Sequence, residues 1–365
     1  MSARFRGRLG LQQRVLPGYR VPFFDMLATA CDAGLSVFAG DSRASEGIAA
    51  GRLQIAEQAR ARNIHVLTGP LYLCIQRGLP EWLEAWDPAV LIVEANPRYL
   101  ATASAVRWMH ERGRPVIGWG LGAPPPRGVL SDLWQSFRGR TLRQFDALIA
   151  YSQRGLTEYA AAGFPASKIF VATNAAVARP VADPPSRRRA TSEGPHILFV
   201  GRLQRRKRVD FLLRACAEMP PPGPRLTIVG DGPERKALEG LARQVFPSAE
   251  FAGTRHGEEL RPYFQRADLF VLPGTGGLAV QEAMANALPV IVAKGDGTQD
   301  DLVRGENGWQ VPPDNYAALA AAMKTAISDT PRLRRMGQES RRIVSEEINV
   351  EKMVESFIRA IRSVA

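Results

Sequence analysis

One pattern recurs along most of this chain: a short apolar run typical of a buried strand, followed by a segment with helical spacing. In the first half the candidate strands are 35–38, 65–67, 89–93, 115–119, 147–150 and 169–171, with helix-like segments at 44–62 and 99–112. In the second half the candidate strands are 196–200, 226–229, 269–272 and 290–292. This alternation predicts an α/β protein whose parallel strands are joined by crossover helices.

The pattern is interrupted once, by ARPVADPPSRRRATSEGP at 178–195, which has no periodicity and is rich in Pro and Arg. Such a composition indicates a linker between domains. We therefore predict a first Rossmann-like domain at 1–177, a linker at 178–195, a second Rossmann-like domain at 196–345 and a C-terminal amphipathic helix at 346–365. Ligands of doubly wound sheets bind at the carboxyl ends of the strands, so we expect a site in a cleft that both domains face.

Composition narrows the class of protein. No run of about 18 apolar residues is present, and the N-terminus has no apolar segment typical of a secretory signal. The three cysteines, Cys31, Cys74 and Cys216, are far apart, which indicates buried, reduced thiols of a cytosolic protein. The four histidines, His65, His110, His196 and His256, lack metal-ligand spacing, so we expect no metal site.

The net charge of +12 has two interpretations. An excess of Arg serves anionic ligands, nucleic acid or an acidic membrane face. It is equally what a genome that favours Arg over Lys would produce. No interleaving of aromatic and basic residues supports nucleic-acid binding, so we expect no nucleic-acid partner.

The segment ILFVGRLQRRKRVD at 197–210 places two cations after a buried strand. Arg202 follows the strand-ending Gly201, and Lys207 lies five residues further on. Arg can donate to two oxygens at once and Lys supplies a compact charge, so this pair suits a diphosphate. The alternative is a solvated basic loop, which is our interpretation of Arg205, Arg206 and Arg208.

Three other strand ends are candidate ligand sites. Gly230, in IVGDGPE, lets a ligand approach the backbone, although a plain tight turn explains it as well. The segment 251–254 follows another strand and is a candidate base pocket. In PGTGGLAVQEAMANALPVIVA at 273–293, the amides of Gly276 and Gly277 can face an anion. Glu282, placed in the second turn of the following helix, either accepts hydrogen bonds from a vicinal diol or is a surface acid.

In this order, GRL with Lys207, IVGDGPE, FAG, ADLFVLPG, QEAMANALPVIVA and NGWQVPPDN resemble the nucleotide-binding domain of retaining GT-B glycosyltransferases of the large group 1 family. That family includes phosphatidylinositol mannosyltransferases and sucrose-phosphate synthases. The resemblance covers 151–365, and QQRVLPGYRVPFFDML and LIVEANPRYL more loosely resemble bacterial members that build surface polysaccharides. It implies a GT-B fold, with two Rossmann-like domains facing each other across a cleft and a C-terminal helix crossing back to the N-terminal domain.

The resemblance also implies roles for single residues. Arg202 and Lys207 would hold the donor diphosphate and assist its departure. Glu282 would bind the nucleotide ribose. The loop of Gly276, Gly277 and Leu278 would direct amides at the diphosphate and donor sugar. Two further sets follow: Gly201 and Gly230 at the donor, and Thr254 and Arg255 at the base. The reaction implied is transfer of a sugar from a nucleotide donor with retention of configuration, without a metal ion or other cofactor.

This sequence departs from the family pattern at several positions. The family's first acid, eight residues before Glu282, falls at Gly274. A histidine that many members carry after the 115–119 strand is replaced by Leu121. Two family glycines are replaced by Arg208 and Ala175. We interpret Gly274 as altered recognition of the donor sugar.

Polar residues after strands of the first half are candidate acceptor contacts: Gln13, Arg14, Tyr19, Arg20, Glu94, Asn96 and Arg98. An ion pair between Arg98 and Glu94 is an alternative. The stripe at 128–145 combines apolar side chains with a cationic face, which fits either a core helix or docking on an acidic bilayer.

The sequence thus predicts a cytoplasmic glycosyltransferase, in contact with the inner face of the cell membrane if the stripe docks there. Its predicted partners are a UDP- or GDP-sugar and a glycan or lipid-linked acceptor. Two alternatives remain open: a nucleotide-sugar epimerase of the same architecture, and a catalytically silent nucleotide- or glycan-binding protein. The silent alternative is favoured by Gly274 and Leu121.

Overall fold

The computed structural model describes residues 4–43, 46–67, 69, 72–124, 139–187 and 194–365. The chain forms two compact units. The first consists of Met1–Ala178 and Val350–Ala365, and the second of Arg179–Asn349. The alternating pattern of strands and helices is confirmed in both.

The first unit is built on a parallel sheet. Its strands are β1 (Leu9–Val15), β2 (Leu35–Gly40), β3 (Glu57–Arg60), β6 (Val90–Glu94), β7 (Val116–Gly120), β8 (Ala147–Ala150) and β9 (Ile169–Val171), in the order β3-β2-β1-β6-β7-β8-β9. Its helices are α1 (Val21–Thr29), α2 (Leu79–Trp86), α3 (Ala101–His110) and α4 (Gln153–Ala161). The central strands are buried on both faces, as expected where helices cover both sides of a sheet.

The helix predicted at 44–62 is wrong. Its C-terminal part forms β3, and residues 62–66 form β4 (Arg62–Val66), which pairs in antiparallel fashion with β5 (Leu73–Arg77) in a separate two-stranded sheet. The strand predicted at 65–67 therefore lies outside the main sheet. The side chains of β3 are mostly exposed and polar, so its only strand-forming feature is backbone pairing with β2, which a hydrophobic pattern does not detect.

The C-terminal helix of the chain, here called the terminal helix (Val350–Arg362), belongs to the first unit. It packs on α1 and presents six buried apolar side chains: Val350, Met353, Val354, Phe357, Ile358 and Ile361. The ring of Phe357 contacts Phe23 with centroids 4.8 Å apart and Trp119 with centroids 4.9 Å apart. This aromatic cluster joins the terminal helix to the sheet.

The second unit has a parallel sheet of β10 (His196–Val200), β11 (Arg225–Val229), β12 (Glu250–Gly253), β13 (Leu269–Leu272), β14 (Val290–Ala293) and β15 (Gly308–Val311), in the order β12-β11-β10-β13-β14-β15. Its helices are α5 (Val209–Ala217), α6 (Arg235–Val245), α7 (Arg261–Arg266), α8 (Ala279–Ala285), α9 (Thr298–Leu302), α10 (Tyr316–Ile327) and α11 (Thr330–Glu346). The terminal helix completes the series as α12. Because β10 and β13 are neighbours, the loops that follow them emerge at one edge of the sheet.

Part of the predicted linker is fixed to the second unit. The Arg187 guanidinium donates to the carbonyl oxygens of Ala267 at 2.7 Å, Asn286 at 2.7 Å, Ala287 at 3.1 Å and Phe264 at 3.2 Å. Burial among these carbonyls lowers the pKa of Arg187 to about 10. Residues 188–193 of the linker lie outside the described residues.

Two other predictions concern the surroundings of the core. Cys31, Cys74 and Cys216 are buried and form no disulfide, as predicted. Most of the 128–145 stripe lies outside the described residues, although its Leu142 is buried. Within the described ranges, no helix is both long enough and apolar enough to cross a membrane.

Candidate functional site

Three glycines lie at the ends of adjacent strands in the second unit. The N–H of Gly201 donates to the carbonyl oxygen of Val229 at 3.0 Å, and the N–H of Gly230 donates to that of Gly253 at 2.8 Å. Gly230 has a φ of 139°, and a β-carbon there would lie 2.0 Å from the carbonyl oxygen of Gly201. A side chain at Gly230 is therefore excluded by backbone packing, which is the structural role that the tight-turn interpretation assigned to it.

Lys207 is a buried cation beside the glycine loop. It follows β10, has a side chain only 5% exposed, and donates from Nζ to the carbonyl oxygens of Thr275 at 2.7 Å and Gly276 at 2.5 Å. Burial, with a smaller effect of the neighbouring Arg206 charge, lowers the pKa of Lys207 to about 8. An ammonium group has three N–H donors, so two hold the loop and one remains for a ligand.

The other cations of this loop have different environments. The Arg202 side chain is exposed, as are Arg205 and Arg206. Arg206 donates to the Thr275 carbonyl oxygen at 3.3 Å, so it also contacts the glycine loop. The prediction that Arg208 is solvated is wrong: it forms ion pairs with Asp210 and Asp314, and its guanidinium lies 3.4 Å from the Phe211 ring centroid.

Arg208 stands where the family that the sequence resembles has a glycine, and its backbone keeps a conformation typical of glycine. Its φ is 52°, in the left-handed region that glycine adopts without strain. The two carboxylates and the Phe211 ring stabilise a side chain in a backbone conformation that disfavours one. The turn after Lys207 thus retains the conformation expected for a glycine.

The segment 274–278 is the glycine loop that packs on Lys207. A β-carbon at Gly274 would lie 2.0 Å from the Arg206 carbonyl oxygen and 2.4 Å from the Lys207 Cα. Gly276 and Gly277 have φ values of 66° and 148°, and the half-buried Leu278 directly precedes α8. With this backbone, no side chain fits at 274, where the family pattern has its first acid.

Glu282 lies on α8 near the glycine loop. The helix begins at Ala279, later than the sequence indicated, so Glu282 is in its first turn and not the second. Its half-buried carboxylate accepts no hydrogen bond from the described part of the chain. Burial raises the pKa of Glu282, and the charge of nearby His256 partly opposes this effect. An unpartnered, partly buried carboxylate is costly unless a ligand donates to it.

The residues after β12 are exposed. Arg255 donates from Nη1 to the Thr254 carbonyl oxygen at 2.9 Å. His256, one of the histidines without metal-ligand spacing, caps a short helical turn together with Glu259. Its electrostatic contact with Glu282 was missed. Its place directly after Thr254 and Arg255 was the available signal.

In the first unit, three of the predicted acceptor residues come together at the ends of β1 and β6. Glu94 accepts a hydrogen bond from the Arg14 backbone N–H at 2.6 Å, and its pKa is raised by burial against the opposing charges of Arg20 and Arg14. The Arg20 guanidinium stacks over Trp119 with its Cζ 4.4 Å from the ring centroid. Among the described residues, Arg20 Nη1 and Gln13 Nε2 are buried donors without a hydrogen-bond partner.

The remaining acceptor candidates line the same edge less tightly. Tyr19 is 40% exposed, and its hydroxyl accepts a hydrogen bond from Arg20 Nε at 3.3 Å. Asn96 accepts a hydrogen bond from the Arg98 backbone N–H at 3.1 Å. The Arg98 side chain is exposed, and the charges acting on Glu94 are those of Arg20 and Arg14, so the alternative Arg98–Glu94 ion pair is not formed.

Comparison with known proteins relates most of the second unit to a family. Residues 185–343 match the family described as glycosyl transferases group 1. The chain is 30% identical over 155 residues to the sulfoquinovosyl transferase SQD2 of Arabidopsis thaliana, which is 41% of this chain and 30% of that protein. It is 37% identical over 134 residues to a GDP-mannose-dependent alpha-mannosyltransferase of Mycobacterium tuberculosis, which is 36% of this chain and 34% of that protein. The matches span about a third of the length of these relatives.

Solved structures show the same fold over nearly the whole chain. One is Alr3699/HepE of Anabaena in complex with UDP, with a TM-score of 0.71 and 18% identity, covering 98% of this chain and 99% of that one. Another is sucrose-phosphate synthase of Thermosynechococcus elongatus, with a TM-score of 0.69, 21% identity and the same coverage. Residues 185–343 are therefore similar to the group 1 glycosyl transferases, and the chain as a whole has a GT-B fold.

Proposed function

We propose that this protein is a retaining glycosyltransferase that moves a hexosyl group from a UDP- or GDP-sugar to a glycan or lipid-linked acceptor. The setting would be bacterial polysaccharide or glycolipid synthesis. The observation that carries the proposal is the buried Lys207 ammonium, which holds the glycine loop with two donors and has a third for a ligand. Alr3699/HepE of Anabaena, which has the same fold, was crystallised in complex with UDP and with UDP-glucose.

The donor diphosphate would lie between Lys207 and the glycine loop. Lys207 and the exposed Arg202 would neutralise the charge that develops on the departing diphosphate, which lowers the barrier to cleavage of the sugar–phosphate bond. The amides of Gly276, Gly277 and Leu278 would donate to the same oxygens. Because these donors are preorganised by the packing of Lys207, no metal ion is required in this proposal.

The nucleoside would be bound by the strand ends on either side. Glu282, whose carboxylate lacks a partner, would accept hydrogen bonds from the ribose hydroxyls. Gly201 and Gly230 would allow close approach of the nucleotide to the backbone. Thr254 and Arg255 would border the base.

The chemical step would be attack of an acceptor hydroxyl on the face of the sugar that the diphosphate leaves. The departing phosphate oxygen would take the acceptor proton, so no protein nucleophile is needed and the anomeric configuration is retained. Gln13, Tyr19, Arg20, Glu94, Asn96 and Arg98 would contact the acceptor.

The test is incubation of the full chain with UDP-, GDP- and dTDP-sugars, with and without glycan and lipid acceptors, in the presence of EDTA. We expect release of one nucleoside diphosphate together with a product whose anomeric proton coupling matches that of the donor. Conversion of the donor into a different nucleotide-sugar would instead establish the epimerase. Tight nucleotide binding with no turnover would establish the silent binding protein.

A further inference from the structure

The first unit contains a cavity that the proposed donor site does not use. It has a volume of about 380 Å³ and lies between α3, α4 and the segment 139–145. Its lining is mostly apolar or aromatic and includes Pro97, Leu100, Ala103, Leu142, Phe145 and Tyr159. A cavity of this size and lining suits an apolar group.

Apolar surface continues outward from the cavity. Leu100, which lines it, is 49% exposed, and Leu121, next to the lining residue Gly122, is also 49% exposed. Large apolar side chains exposed to this degree are few in the described chain. Large apolar side chains exposed beside an apolar cavity favour a ligand that covers them.

The polar groups of the cavity favour an anionic ligand. Among the described residues that line it, the one charged side chain is the exposed guanidinium of Arg140, and none is an acid. Thr102, 5% exposed, has a buried hydroxyl without a hydrogen-bond partner among the described residues. A ligand with an apolar chain and an anionic, oxygen-rich head would match both features.

The cavity also adjoins the predicted acceptor residues. Ala95 and Asn96, which line it, directly follow Glu94 at the end of β6. Tyr99 lines it too, and the Tyr99 side chain interacts with the Arg14 guanidinium. An amphiphile whose hydrocarbon chain lies in the cavity would therefore place its head group at the strand ends where an acceptor is expected.

We propose that this cavity binds the hydrocarbon chain of an amphiphilic acceptor that carries a phosphate ester, with Arg140 beside the phosphate. The assignment of the bound molecule as an acceptor rests on the proposed transferase function. Binding itself does not, so the two can be tested apart.

The experiment is calorimetric titration of the full chain with butyl, hexyl, octyl and decyl phosphate, with octanol and inorganic phosphate as single-feature probes. Each methylene buried should tighten binding by about fourfold until the cavity is filled. Octyl phosphate should bind more tightly than either octanol or inorganic phosphate. Affinity independent of chain length, or equal affinity for octanol and octyl phosphate, would overturn the proposal.

Two neighbouring substitutions on α3 provide a matched pair. Ala103 is exposed and lines the cavity, whereas Ser104 is exposed and lines a different groove. Ala103→Trp should weaken octyl phosphate binding about tenfold or more, because the indole occupies the volume of several buried methylenes. Ser104→Trp should change it by less than about twofold. Equal effects of both variants would overturn the proposal.

Further variants distinguish binding of the hydrocarbon chain from binding of the phosphate head group, and nucleotide titrations show whether each variant is folded. Arg140→Gln should weaken octyl phosphate but not octanol, and Leu100→Ser should weaken both without disturbing a buried core. UDP and GDP titrations of each variant test the donor site in parallel. Normal nucleotide binding without alkyl phosphate binding would refute this inference alone, and the reverse result would refute the proposed function alone.

Discussion

At the scale of single residues, the proposed donor site contains two groups whose ionisation is shifted by burial. Lys207 has a pKa of about 8 because the folded chain removes it from water. Glu282 has a raised pKa for the same reason. The lowered pKa of Lys207 and the raised pKa of Glu282 both narrow the pH range in which the two groups are charged, so both are ionised only at pH values between their two pKa values.

The Lys207 shift predicts how UDP binding depends on pH. The ammonium is charged below about pH 8, so affinity for the diphosphate should fall as pH rises through that value. Replacing Lys207 by Met should weaken UDP by about 10- to 100-fold at pH 7, the worth of a charge-assisted hydrogen bond, and abolish the pH dependence near 8. Calorimetric titration from pH 6 to 9.5 checks both, and an unchanged pH profile in Lys207→Met would contradict the assignment.

Lys207 also affects stability, with a sign opposite to that of an ordinary ion pair. Its folded pKa, about 8, lies below its unfolded value of 10.5, so the unfolded chain binds the proton more strongly. Stability should therefore rise with pH between these two values. Lys207→Met removes that rise, which urea unfolding at pH 7 and 10 would measure.

Glu282 is predicted to act on the ribose and not on the diphosphate. Glu282→Gln should weaken UDP about tenfold, since hydrogen bonds to a charged acceptor become bonds to a neutral one. The loss should be smaller for 2′-deoxy-UDP, which keeps one of the two hydroxyls, and nearly absent for inorganic pyrophosphate. Lys207→Met should weaken all three. Because the Glu282 carboxylate has no partner in the described chain, Glu282→Gln should not lower the melting temperature. Equal losses for UDP and pyrophosphate would contradict the ribose role.

At the scale of elements, the loop after β13 packs directly on the loop after β10, because Gly274 has no side chain and lets the two backbones come into contact. Restoring the family acid by Gly274→Glu should not create a sugar-binding carboxylate. The new β-carbon would overlap the Arg206 carbonyl, so the loop must move away from Lys207. We expect UDP binding at least about tenfold weaker and a lower melting temperature, as for other substitutions that break backbone packing. Enhanced turnover of a donor sugar by Gly274→Glu would refute this account.

The terminal helix is predicted to stabilise the first unit alone. Phe357→Ala removes a fully buried ring that contacts Phe23 and Trp119 and should cost about 3–5 kcal/mol of unfolding free energy. Glu355→Ala, on the exposed face of the same helix, is the control and should cost less than about 0.5 kcal/mol. UDP affinity should stay unchanged in both, since Lys207 and Glu282 belong to the second unit. Urea unfolding followed by tryptophan fluorescence measures the difference.

The elements that could be predicted from sequence are those whose pattern arises from burial. The strands at 147–150, 169–171, 196–200 and 269–272 were predicted at their observed bounds, because each is a largely apolar run that is fully or partly buried in a parallel sheet. The strand at Glu57–Arg60 was missed, since its exposed polar side chains carry no such pattern.

In the candidate site, the sequence predicted which residues take part but not how they contact one another. The positions of Lys207 and the glycine loop followed from strand ends, whereas their direct contact required the fold. Arg208 pairs with Asp314, which is distant in sequence, so a local pattern could not indicate that ion pair, whereas its other partner, Asp210, is only two residues away. The same holds for His256 beside Glu282.

At the scale of the whole molecule, each unit contributes a different part of the proposed reaction. The second unit has the buried cation, the glycine loop and Glu282. The first has the buried polar groups at the ends of β1 and β6 and the apolar cavity beside them. The net charge of +12 fits anionic substrates on both sides of the reaction, a nucleotide diphosphate and a phosphate ester.

The most direct test of the account is nucleoside diphosphate release from UDP- and GDP-sugars by the full chain in EDTA, compared with release by Lys207→Met. We predict that one donor yields its diphosphate in step with an acceptor product of the same anomeric configuration. Lys207→Met should reduce the rate by at least about 100-fold, the scale expected when a preorganised charge at the leaving group is lost. Absence of binding and release with every donor, or equal rates for the wild type and Lys207→Met, would contradict it.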